Sequence, residues 1–137
     1  MKIKPLLFFL FLKFTFFNYS FSQEVSESGI YIMSVDFGTR TIYSISCEKF
    51  TTSFAGRMKL RLINNEDSLK ILDSFLEKIK YKRKKDGVDV RAKINYIKPD
   101  DTRISICTNG YDVMVNGRLI KHNAKFVDFL KSMIFKL

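Results

Sequence analysis

Between Val88 and Ile120 the chain alternates apolar and polar residues through three punctuated turns, a pattern that few arrangements other than an antiparallel meander can satisfy. Val88, Val90, Ala92, Ile94 and Tyr96 alternate with Asp89, Arg91, Lys93 and Asn95, the period-two signature of a strand with one buried face. Lys98-Pro99-Asp100-Asp101 supplies a turn. Asn109-Gly110 and Asn116-Gly117 then stand between apolar alternations, where a two-residue type I′ turn requires positive φ at both central positions. Two such loops set Ile106 opposite Val113, Val113 opposite Ile120, and Ile104 opposite Val115. A loop with an odd number of residues after the first strand sets Ile94 against Ile104 and Ala92 against Ile106. Every pairing puts apolar side chains on the same face, so the segment from about 88 to 121 reads as four strands with one core side.

The N-terminus has a different character. Met1-Lys2-Ile3-Lys4 is a basic start, Pro5 to Leu12 carries no polar side chain, and Ser20-Phe21-Ser22 puts small residues at the two positions a signal peptidase reads. Residues 1–22 therefore read as a secretory signal peptide cleaved near Ser22/Gln23, and the mature protein as periplasmic or secreted. Lys13 divides the apolar run, and neither part reaches the roughly 20 residues that a retained membrane helix needs. Half of the 14 Phe residues lie in this leader, so the aromatic excess is largely a targeting feature. Losing Lys2, Lys4 and Lys13 takes the formal charge from +10 to +7, and the mature chain remains basic. At this length one domain, 29–137, can bury a core without metal or disulfides. Gln23 to Ser28 reads as a loose lead-in.

Ile30 to Phe37 alternates, and Thr41 to Cys47 is rich in β-branched and aromatic residues beyond Phe37-Gly38-Thr39-Arg40, which predicts an N-terminal hairpin. Phe50, Phe54 and Met58 at spacing four predict a short helical turn, and Met58 to Leu62 alternates like a strand. Asn64-Asn65-Glu66-Asp67 offers a cap and first-turn acids to a helix whose stripe is Leu69, Leu72, Leu76 and Ile79. Asn123 caps a second helix with Phe126, Phe129, Leu130, Met133 and Ile134 on one side. The fold class is α+β: a two-layer domain with the meander, the hairpin, and two amphipathic helices on one face of the sheet.

Groups able to do chemistry are sparse. Cys47 and Cys107 can pair in an oxidising destination or remain inert thiols, and their spacing does not decide. Cys107 points away from the Ile104 and Ile106 face; if Cys47 shares the parity of a core-facing strand, the two lie on opposite sides of a layer and cannot join. His122 is the only histidine, without the short ligand spacing of a zinc site, and it reads as a loop residue near a helix start. Asp100-Asp101 and Glu66-Asp67 have turn and helix-terminus explanations, and no nucleophile elbow or phosphate loop is visible. The sequence predicts no catalytic residue, no metal and no cofactor, and hence not an enzyme.

The conspicuous surface feature is Lys78, Lys80, Lys82, Arg83, Lys84 and Lys85, six cations in eight residues. Part of that run suits a helix C-terminus, and the remainder is a candidate anion-binding patch supported by Arg91 and Lys93 on the polar side of the neighbouring strand. Nothing in the chain reads bases, so sequence-specific nucleic-acid recognition is not expected. The expectation is a small exported non-enzymatic binding or accessory domain whose partner is an unidentified protein or envelope component. Its surface is the sheet face bearing Arg91, Lys93, Arg103, Asp112 and Met114, or an edge strand open to another strand. The alternative is a polyanion-binding protein using Lys78 to Lys85, and a hydrolase of unfamiliar type is the least favoured reading.

Overall fold

In the computed structural model, residues 27–83 and 87–136 are described; the leader 1–22, its cleavage point, most of the lead-in, and Lys84, Lys85 and Asp86 lie outside them. The strands are β1 (Gly29–Ser34), β2 (Lys59–Ile63), β3 (Ala92–Ile97), β4 (Arg103–Thr108), β5 (Val113–Val115) and β6 (Arg118–Leu119). The helices are α1 (Phe50–Ser53), α2 (Glu66–Leu76) and α3 (Ala124–Phe135). One six-stranded sheet runs in the order β2-β1-β3-β4-β5-β6 with every pairing antiparallel. The α+β class and the two helices on one face are as expected from the sequence.

That face is the main core. Ile30, Ile32, Ile94, Tyr96, Ile106, Val113 and Val115 from the sheet meet Leu72 of α2 and Phe126, Val127, Leu130 and Met133 of α3. Burying each large apolar side chain contributes roughly 1.5–3 kcal/mol against the cost of ordering it. The helices start where the sequence predicts: Asn65 accepts from the Ser68 amide and Asn123 from the Phe126 amide. Tyr96 adds a polar tie between the layers, its hydroxyl donating to Asp73 Oδ2 at 3.0 Å while Lys98 pairs with Asp73 Oδ1 at 2.9 Å. Burial, followed by the hydrogen bond to Asp73 and the charges of Asp73 and Asp100, pushes the Tyr96 phenol up to about 12.

The register differs from expectation at two of the three hairpins, each time by two residues, so the faces are kept. Asn116 (φ 48°) and Gly117 (φ 74°) both take positive φ in a two-residue loop, and the Ile120 amide donates to Val113 as expected. At Asn109-Gly110 only the glycine has positive φ, and the loop runs on through Asp112. The Asn109 carboxamide oxygen accepts from the Tyr111 and Asp112 amides, while Thr108 Oγ1 donates to the Asp112 carbonyl and accepts from the Gly110 amide. Those side-chain bonds favour the longer turn. Ile106 consequently pairs with Val115, and Thr108 with Val113. The first loop spans 98–102, giving Ile94 opposite Ile106 and Ala92 opposite Thr108. Asp100 Oδ1 accepts from the Thr102 amide there, and Asp101 adopts φ 62°.

The N-terminal antiparallel pair exists, but its second strand is β2. Thr41 to Cys47 forms no strand, and β1 sits inside the sheet between β2 and β3. The turn at 36–39 does form, with the Thr39 amide donating to the Asp36 carbonyl. Beyond that turn the chain crosses the second face of the sheet instead of pairing beside β1. There Val35, Phe50, Phe54, Val88, Val90, Cys107 and Leu119 make a smaller core. Val88 and Val90 belong to this cluster, so the alternation that continues through Ile94 and Tyr96 is interrupted at Arg91.

Candidate functional site

The second face is where polar and exposed groups gather, and the segment 36–48 dominates it. The sequence pattern places Arg91 on an exposed polar face; instead it is buried, with 6% of its surface accessible. Its Nε donates to the Thr39 carbonyl at 2.9 Å, its Nη2 to Thr41 Oγ1 at 3.2 Å, and both terminal nitrogens to Asp89. The guanidinium also lies 5.9 Å from the centre of the Phe54 ring. Asp89 Oδ1 in turn accepts from the Ile45 amide at 2.8 Å, and the Val90 amide donates to the Ile45 carbonyl at 2.8 Å. Burial alone would push the Asp89 carboxyl up, but the hydrogen bonds from Arg91 and Ile45 and the guanidinium charge outweigh it and hold it below its ordinary value.

Two further anchors hold the same segment. Cys47 and Cys107 form a disulfide with Cα atoms 5.8 Å apart, closing a separation of 60 residues. They meet because Thr41 to Cys47 is laid over the second face, toward which Cys107 points, and is not a strand of the sheet. At the other end the Phe37 ring packs 5.1 Å from that of Phe135. Between these anchors Ile42 and Tyr43 project into solvent with 92% and 79% of their surfaces accessible. The loop is thus tied at Phe37, Thr39, Thr41, Ile45 and Cys47 while two large apolar side chains touch little.

The two sheet edges differ. At β6 the stretch 80–82 lies alongside, with Tyr81 bridging Ile120, the Lys82 amide donating to Leu119 and the Lys121 amide to Lys80. Lys78, Lys80, Lys82 and Arg83 are exposed; Lys78 follows the Glu77 cap of α2, as expected for part of the run, and Lys80 and Lys82 lie along the sheet edge. Arg118 stacks over Tyr81 at 4.1 Å, and Lys121 adds another exposed cation. Lys82 is 3.8 Å from Asp112, the one carboxylate paired with this edge among the described residues. At the opposite edge β2 exposes Leu60 and Leu62. Its Lys59 and Arg61 carry charge along that edge, and Arg61 donates to the Met133 and Lys136 carbonyls at the end of α3. Charges of this kind discourage edge-to-edge pairing.

Of the sheet-face residues expected to share a surface, Lys93 and Met114 lie in one row, through Cys107 between them. Both line a cleft of about 410 Å³ whose other wall is Ser44, Ser46 and Cys47. Arg103 is exposed further along β4. His122 stacks on Tyr111 at 4.5 Å. Among the described residues, no group of three or more His, Cys, Asp or Glu side chains is arranged to hold a metal, and no helix is long and apolar enough to cross a membrane. Sequence reasoning missed the Ile42-Tyr43 loop because its β-rich composition reads as a strand, and the fastening partners are about 50 residues away. No family model matches this chain, and neither a curated protein nor a solved structure matches it significantly.

Proposed function

We propose that this protein is an exported, non-enzymatic binding module that docks a protein partner through the loop 39–45, inserting Ile42 and Tyr43 into an apolar recess. The observation that carries the reading is the contrast between how firmly the loop is tied and how little its two largest apolar side chains touch. Exposing Ile and Tyr to water gives the isolated fold nothing, whereas holding them in one geometry lowers the entropy lost when a partner covers them. The guarded β2 edge supports the loop, rather than strand addition, as the docking element. A disulfide in the bracing accords with an oxidising destination, and export rests on the leader.

The test is capture from envelope and secreted fractions of the source cell, comparing the unaltered protein with an Ile42→Ser/Tyr43→Ser variant through low-salt and high-salt washes. A defined protein retained in high salt by the unaltered form and lost by the variant supports docking. Equal retention by both forms removes the loop from the reading. Truncating an aromatic anchor in an interface costs about 2 kcal/mol or more, roughly thirtyfold in affinity.

A second reading, polyanion binding, is favoured by one observation: residues 80–82 of the basic run lie beside β6, so Arg118 and Lys121 join Lys80 and Lys82 along one edge. Its mark is capture that is broad, disappears with salt, and is weakened by changing Lys80, Lys82 and Arg83 to Gln.

A further inference from the structure

We infer that the cleft over Lys93 is a binding pocket for a carboxylate carrying a short hydrocarbon body. Lys93 stands on β3 between Met33 of β1 and Cys107 of β4, half-buried on the floor of the cleft. Among the described residues it has no ion pair and no side-chain hydrogen bond, unlike Arg91 two positions away, whose donors are almost fully used. A cation drawn partly out of water without a direct ion pair is unfavourable, and an anionic ligand relieves that cost. The same cleft is lined by the hydroxyl-bearing Ser44 and Ser46 from the braced loop and Ser105 from β4.

The rest of the lining selects among anions. A single lysine balances one negative charge, and Glu48, which also lines the cleft, opposes a second, which disfavours a phosphate dianion. Met114, Val88 and Cys47 supply an apolar bed, and about 410 Å³ accommodates a ligand of several carbons beyond its carboxylate. The pocket does not require that Ile42 and Tyr43 dock anything, because its charge and floor come from the sheet.

The experiment is a titration of the purified protein with sodium hexanoate, following the backbone amide resonances of Ser44, Ser46, Ser105 and Asn116. Hexanamide and inorganic phosphate are titrated in parallel. Saturable shifts with hexanoate are expected, weakened about tenfold or more when the charge is removed either from the ligand, as hexanamide, or from the protein, as Lys93→Met. The Ile42→Ser/Tyr43→Ser variant is expected to bind hexanoate unchanged, so loss of partner docking and loss of this pocket are separately read. Shifts that fail to saturate, equal binding of hexanamide, or phosphate moving the same amides at the same concentrations would each overturn the assignment. The hexanamide comparison uses unaltered protein, so it decides the assignment even if Lys93→Met fails to fold.

Discussion

Arg91 grips Asp89 with two prongs, Nη1 to Oδ1 at 2.8 Å and Nη2 to Oδ2 at 2.7 Å, and turns its third nitrogen to the Thr39 carbonyl at 2.9 Å. One guanidinium thereby joins the approach to β3 to a loop about 50 residues earlier. Replacing Arg91 with Ala leaves Asp89 without its partner and frees the Thr39 carbonyl and Thr41 hydroxyl. Because Asp89 keeps contact with water, the expected loss is about 2–3 kcal/mol, at or below the low end for breaking a fully buried pair. Arg91→Lys is expected to recover only part of it, since an ammonium cannot reproduce the planar fork. Denaturant melts measure the loss, and faster hydrogen exchange at Thr39 to Ile45 locates it.

Reducing the disulfide, or changing Cys47 and Cys107 to Ser, releases a closure over a separation of 60 residues. Chain entropy assigns a closure of that length about 4 kcal/mol, and native disulfides typically contribute about 2–4 kcal/mol. The main core lies on the other face, so the reduced protein is expected to stay folded with a lower melting temperature and a loosened 41–48 segment. A reductant-insensitive melt would contradict this.

The loop side chains themselves are expected to be thermodynamically silent. Ile42→Ser/Tyr43→Ser removes groups that are almost fully in water, so stability stays within about 0.5 kcal/mol. A larger loss in a thermal melt would mean that these residues pack in solution.

Two glycines with positive φ are expected to differ. Gly110 (φ 91°) and Gly117 (φ 74°) both lose about 1–2 kcal/mol when given a side chain in the left-handed region. At Gly110 an added Cβ would also come within 3.2 Å of the Phe37 ring, whereas at Gly117 it meets nothing within 4 Å. Gly110→Ala is therefore the more damaging substitution, and paired melts of the two variants check the order.

The pH dependence has a sign at each end. Asp89 has a depressed carboxyl, so its contribution is complete above the ordinary carboxylate range and lost as pH falls through the depressed value. Tyr96 is raised from 10.0 to about 12, so its contribution is complete below pH 10 and lost as pH rises toward 12. Tyr96→Phe is expected to remove the late phenol from an ultraviolet titration and to flatten the alkaline loss of stability between those values.

The alternation from Ala92 onward, the Asn65 and Asn123 caps and the two helical stripes determined the class of fold and which residues face the main core. These signals are local, because strand parity and helix periodicity are set by neighbours a few residues apart. Parity survived even where register did not: Asn109 and Asp100 lengthen their turns through bonds to nearby amides, and a shift of two returns every side chain to its own face. Tertiary structure decided the rest. Thr41 to Cys47 has the composition of a strand, yet β2 takes the place beside β1, and the displaced segment is held over the second face by Arg91, Asp89 and Cys107. Arg91 reads in sequence as a solvent-facing cation because nothing near it announces the distant carbonyl and hydroxyl that bury it. The same long-range closure leaves Ile42 and Tyr43 in water and forms the cleft over Lys93, for each depends on which segments meet across the sheet rather than on any pattern along the chain.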